Sequence, residues 1–171
     1  MKQKGVIRRI DSLGRLVIPR EFRKAQKIKE GDPLEICLLE NNDMLVRPIN
    51  LSAKLIDAAK PIIKELSSTI ENSVILADTE NYIYASGVTF SELIAQPLNA
   101  AIAAAIVSRK NFIGEITVLN SVGVMHCSAF VIFADDVYGA LIVFSKEPLD
   151  NWKSKTATMA TNIIKENIQK F

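Results

Sequence analysis

The chain has 171 residues, 49% of them hydrophobic and 23% charged, so it can build a core and lacks the composition of a disordered polymer. No apolar run approaches the roughly 20 residues that span a bilayer. The start, Met1-Lys2-Gln3-Lys4, leads into Gly5-Val6-Ile7-Arg8-Arg9 and not into a signal-peptide stretch, so a cytoplasmic protein is expected.

Net charge is only +2, but residues 1–30 hold ten basic and three acidic side chains, a local +7 that leaves −5 for the remainder. A concentrated basic head on a mildly acidic body is the footprint of a nucleic-acid binder, although a solvated lysine-rich face gives the same count. Cys37 and Cys127 lie far apart. They offer neither a disulfide framework nor metal-ligand spacing, and no metal or cofactor is expected.

Val6 to Ile10 alternates apolar and basic side chains, the pattern of a half-buried strand. Asp11-Ser12-Leu13-Gly14 supplies turn chemistry, and Arg15 to Ile18 is expected to return as a second short strand. Pro19 suits the first position of a helix, where its missing N–H costs nothing, and that helix is expected to reach about Lys27. Gly31-Asp32-Pro33 breaks the chain. Leu34–Leu38 and Met44–Arg47, flanking Asn41-Asn42-Asp43, then read as a hairpin. About fifty residues bury too little surface to stand alone comfortably, and four-residue strands leave open edges unless a second chain pairs with them. With metal and disulfide set aside, a dimer is the physical expectation.

From Leu51 the elements lengthen. Leu51, Leu55, Ala58, Ile62, Leu66 and Thr69 form a helical seam over 51–70, in which Pro61 is expected to kink or divide the helix. Residues 73–78 and 82–85 read as a hairpin. Phe90–Ile94 opens a helix, and Pro97 starts a second piece carrying Leu98, Ala101, Ile102, Ala105 and Ile106. Apolar runs at 113–119, 122–133 and 137–144 read as strands, and a last helix from about Leu149 sets Trp152, Thr156, Met159, Ile163 and Ile168 along one side. This order describes an α+β domain with a largely antiparallel sheet, giving two domains at 1–50 and 51–171. The two bracketing seams can pair within one chain or across a dimer, and both readings stay open.

Gly5 to Arg23 (GVIRRIDSLGRLVIPREFR), continued by Gly31-Asp32-Pro33-Leu34-Glu35-Ile36, closely resembles the AbrB family of bacterial transition-state regulators. The order and length of the remainder resemble family members in which the head precedes a GAF-like domain. The resemblance implies a swapped-hairpin β-barrel, in which two chains interleave strands into one double-stranded-DNA-binding unit. It also implies that Arg8, Arg15, Arg23 and Lys24 hold the DNA-contacting positions. Arginine suits that task because its planar fork bonds phosphate or guanine bidentately. On a regular strand Arg9 points opposite to Arg8, and Lys2, Lys4 and Arg20 add phosphate contacts. Lys24 and Gln26 depart from the family's usual arginine and leucine. Against these roles stands a solvated face, or intersubunit salt bridges to Asp11, Glu21 and Glu30.

No catalytic constellation is visible, and no enzyme is expected. His126 and Cys127 are strand neighbours that face opposite ways, a poor dyad, and both read as packed core. A GAF-like domain implies a sensor or an oligomerisation module. A pocket for a small-molecule effector is expected between sheet and helices near Tyr82, Tyr84, Ser86, Phe112 and Thr117, unless the alanines at 100–105 mark close packing instead. The leading expectation is therefore a DNA-binding regulator of sporulation or transition-state genes, homodimeric through the head and homotetrameric overall. The rivals are an antitoxin, and a metabolite-binding protein whose head is only a dimer handle.

Overall fold

The structure, a computed structural model, describes residues 5–86, 90–118 and 123–169. Lys2 and Lys4 lie outside the described residues. The chain forms two compact units, Met1–Asn50 and Leu51–Phe171.

In the first unit, residues 6–10 and 15–18 are not strands, contrary to the alternation. The Asp11 N–H donates to the Arg15 carbonyl at 3.1 Å and the Gly14 N–H to the Asp11 carbonyl at 3.0 Å, with Gly14 at φ 76. That closes a turn, but no ladder follows it among the described residues, because a strand needs a partner edge and this chain offers none there. Helix α1, Arg20–Ala25, is shorter than expected, and Pro19 precedes it with extended backbone at φ −57, ψ 145. It ends where Lys27 turns left-handed (φ 57) and the Ile28 N–H reaches back to the Arg23 carbonyl at 2.8 Å. Strands β1, Leu34–Leu38, and β2, Met44–Pro48, pair antiparallel with Ile36 opposite Val46. Asn42 at φ 64 makes the reversal between them. No described residue between 5 and 50 is buried.

The second unit is a five-stranded antiparallel sheet in the order β4-β3-β7-β6-β5. Its strands are β3 Ser73–Ala77, β4 Tyr82–Ala85, β5 Phe112–Thr117, β6 Val124–Phe133 and β7 Val137–Ser145. Helices α2, Leu51–Ile70, and α4, Asn151–Gln169, cover one face, and α3, Ala100–Ser108, covers the other. Alternation sorts the strands: Val74, Leu76, Leu141 and Val143 meet α2 and α4, while Ile75, Ala77, Ala140 and Ile142 meet the α3 side. With both faces covered, every residue from Gly139 to Ser145 is buried. This is the expected α+β domain with an antiparallel sheet.

Three helical expectations need correction. Residues 91–93 form only a 3-10 turn, and α3 starts at Ala100, where the Asn99 side chain accepts the Ala101 N–H at 2.9 Å. Pro61 does not divide α2. The buried residues before it (Leu55, Ala58, Ala59) and after it (Ile63, Leu66, Ile70) belong to one core, and the carbonyl it leaves unpaired belongs to exposed Asp57, where water can serve it. The buried face of α4 is Ala157, Ala160, Thr161, Ile164 and Ile168. Of the expected seam only Ile168 is buried, and Trp152, Met159 and Ile163 are exposed. Small residues let the helix sit close on the sheet, which turns the large ones outward.

Candidate nucleic-acid interface

The head's basic residues follow from its three local structures. Arg8 and Arg9 lie on the segment before the Asp11–Arg15 turn, Arg15 closes that turn, and Arg20, Arg23 and Lys24 lie on α1. All six are exposed. Arg23 and Lys24 occupy the last turn of α1, and Glu21 its first.

Arg15 is held by a residue that the sequence reading treated as a turn former. One Asp11 carboxylate oxygen accepts the backbone N–H groups of Leu13 and Arg15 at 2.9 and 2.8 Å, and the other accepts Arg15 Nε at 2.7 Å. The Arg15 N–H, then its guanidinium, hold the Asp11 carboxyl below its ordinary value. The contact is therefore an ion pair within one chain, not the intersubunit bridge considered from sequence. It uses one nitrogen and leaves the Arg15 side chain 72% exposed, with the rest of its fork free to meet phosphate. The signal for it was present: Asp four residues before Arg, across a glycine-containing turn.

Sequence reasoning missed a second feature. Val6, Leu16, Val17, Phe22, Leu45 and Val46 line an open apolar groove of about 610 Å³ in the head, with Arg8 and Arg47 also on its walls. Arg47 is engaged by Glu35 across the β1–β2 pair, whereas Arg8 has no such partner among the described residues.

In the body, the five expected pocket residues do not come together. Tyr82 and Thr117 line one depression of about 300 Å³, with Gln96 and Asn99 among its walls. The Asn99 N–H donates to Tyr82 Oη at 3.3 Å, and burial pushes the Tyr82 phenol up. Tyr84 and Ser86 line a different depression beside α2. Phe112 packs half-buried against the α3-side core. The cause is a bulge: Ala77 pairs with Tyr82 but Leu76 pairs with Tyr84, so Ile83 is an extra residue and the two tyrosines leave opposite faces.

Cys127 is buried on the α3 side, where burial pushes its thiol up to about 12. His126 is half-buried, with Nε2 at 3.4 Å from Glu115 Oε1, so it borders solvent and is not the core residue expected. Among the described residues no three His, Cys, Asp or Glu gather as a metal site, and no helix is long and apolar enough to cross a membrane.

Comparison with known proteins adds to this geometry. Residues 7–54 match the family described as antidote-toxin recognition MazE, bacterial antitoxin, and residues 54–169 match the one described as stage V sporulation protein T C-terminal, transcription factor. The chain is 28% identical over 154 residues to stage V sporulation protein T of Bacillus subtilis (strain 168), covering 86% of each protein. Over 36 residues it is 53% identical to transition state regulatory protein AbrB of the same organism, covering 21% of this chain and 38% of AbrB. Among solved structures it is similar to a GAF domain/HD domain protein from Geobacter sulfurreducens. There the TM-score is 0.48 and the identity 13%, over 72% of this chain and 100% of the other.

A basic, coreless head joined to an α+β body is, with these relatives, a DNA-binding transcription regulator. Within that class the match over 54–169 is decisive: the chain belongs to the stage V sporulation protein T C-terminal family of transcription factors.

Proposed function

We propose that two heads, residues 1–50 of each chain, combine into one unit that binds double-stranded DNA to regulate sporulation or transition-state genes. Arg8, Arg15, Arg23 and Lys24 are the principal contacts, with Arg9, Arg20, Lys2 and Lys4 adding phosphate contacts. The observation that carries this reading is the absence of any buried residue between 5 and 50 among those described. A unit whose Ile7 is 94% and Val17 73% exposed has no core of its own, and a second copy laid into its apolar groove supplies one. Two-fold symmetry then doubles the arginine set into one patch.

The body, residues 51–171, serves assembly and sensing. Pro61, Ile62, Leu66 and Thr69 of α2 and Met159 and Ile163 of α4 line an apolar groove of about 390 Å³ that supports pairing of bodies into a homotetramer. The Tyr82–Thr117 depression, with an apolar wall and a few polar groups, supports binding of a small-molecule effector.

The test is operator affinity against salt for the wild type and an Arg8→Ala, Arg15→Ala, Arg23→Ala triple variant. Each lost phosphate contact lowers the slope of log affinity on log salt by about 0.9, so three contacts in each of two chains lower it by up to roughly 5. An unchanged slope and affinity removes these residues from the interface. No salt-dependent binding by the wild type would leave the head as a dimer handle on a metabolite-binding protein.

A further inference from the structure

On the side of α2 away from the α2–α4 groove, Lys64, Ser67 and Ser68 face Tyr84 and Ser86 at the β4 edge of the sheet across a depression of about 440 Å³. Two of its lining residues, Ser67 and Ser86, belong to a hydroxyl relay. The Val74 N–H donates to Ser86 Oγ at 3.0 Å, Ser86 Oγ donates to Ser67 Oγ at 2.9 Å, and Ser67 Oγ donates to the Asn72 carbonyl at 2.7 Å. The relay consumes the protons of both serines and fixes the distance between helix and strand.

Lys64, Ser68 and Tyr84 line the same depression, and among the described residues Lys64 Nζ, Ser68 Oγ and Tyr84 Oη have no hydrogen-bond partner. Lys64 and Ser68 are four apart and so share one side of α2, and the β4 bulge is what turns Tyr84 toward them. No carboxylate is among the described residues that line the depression. We propose that it is a binding site for a small phosphate monoester. Three donors, one of them a cation, match a group with three acceptor oxygens and a charge near −2, whereas a carboxylate offers only two oxygens. The depression has room for the organic part of such a molecule. A ligand held there ties α2, the helix that follows the head in sequence, to the sheet. This site lies on the opposite face from the Tyr82–Thr117 depression and stands apart from the DNA-binding reading.

The test follows backbone amide shifts of the ¹⁵N-labelled full chain during titration with methyl phosphate and with inorganic phosphate, with acetate and chloride at matched ionic strength as comparisons. Saturable shifts at Ser68 and Ser86 with methyl phosphate, absent with acetate and chloride, are expected. Inorganic phosphate binding as tightly as methyl phosphate would show that only the anion is read. Lys64→Gln and Tyr84→Phe, which leave the relay intact, should each weaken methyl phosphate binding about tenfold, the worth of one charge-assisted hydrogen bond. Shifts that never saturate, that acetate or chloride reproduce, or that persist unchanged in both variants would overturn the proposal. If Tyr84→Phe disturbs packing, Ser68→Ala on the exposed side of α2 is the second reading, with the same expected direction.

Discussion

At the scale of single residues, Asp11 and Cys127 show how local chemistry assigns work. Asp11 spends both carboxylate oxygens on the turn that carries Arg15, so the arginine is presented on a fixed loop and loses less freedom on meeting a phosphate. Arg15 was legible from the sequence as a basic side chain beside a turn. The Asp–Arg spacing across the turn was a signal for the pairing, but other nearby acids could also have held Arg15, and only the turn's geometry selects Asp11. Cys127 shows the converse, a reactive atom made inert. Its thiol is buried among apolar side chains and pushed up to about 12, so almost none is thiolate at pH 8. Iodoacetamide at pH 8 is expected to leave Cys127 unmodified in the folded protein and to alkylate it once denaturant opens the body, as mass spectrometry of digests would read. Rapid alkylation under native conditions would contradict a closed core at that strand.

Elements were legible where the pattern has one period, and failed where an irregularity changes it. The hairpin β1–β2, the strands of the five-strand sheet and helices α2 and α4 follow from turn-flanked apolar runs and three-four spacing in the residues. The β4 bulge does not: Tyr82 and Tyr84 are two apart, which in a regular strand gives one face, and only the pairing with Leu76 and Ala77 reveals the extra residue. On α4 the largest apolar residues suggested the buried face, whereas Ala157, Ala160 and Thr161 permit the close approach to the sheet. Pro61 was expected to kink or divide α2; the helix is not divided, and packing on both sides of the proline outweighs a cost of about 3 kcal/mol. Gly139 marks another tight point of the sheet. A Cβ built there would lie 1.9 Å from the Ala77 carbonyl oxygen, and the residue sits at φ 149. Gly139→Ala must move the β3–β7 pair or strain the backbone, and the expected loss is roughly 1–3 kcal/mol or more, read as a lower urea midpoint with unchanged slope. A midpoint equal to wild type would mean that β3 and β7 are not held at this spacing.

At the scale of the whole molecule, the two units differ in what they can do alone. The body keeps two cores, one on each face of its sheet, and Phe144, Ile75, Leu141 and Ile164 are essentially inaccessible. The head has a hairpin, one short helix and a turn, and leaves Ile7, Leu13 and Val17 in water. The expected strands at 6–10 and 15–18 pair with no strand among the described residues, as happens when the partner edge belongs to another molecule. Composition and length already pointed to a second chain. The positions that it covers were not legible, since alternation cannot tell an internal edge from an intermolecular one. The most direct test is sedimentation equilibrium on residues 1–53, with circular dichroism to report folding. A folded dimer is expected at micromolar concentration, with a melting temperature that rises with protein concentration and unfolding as the dimer is diluted apart. A folded monomer at the same concentration would contradict the account.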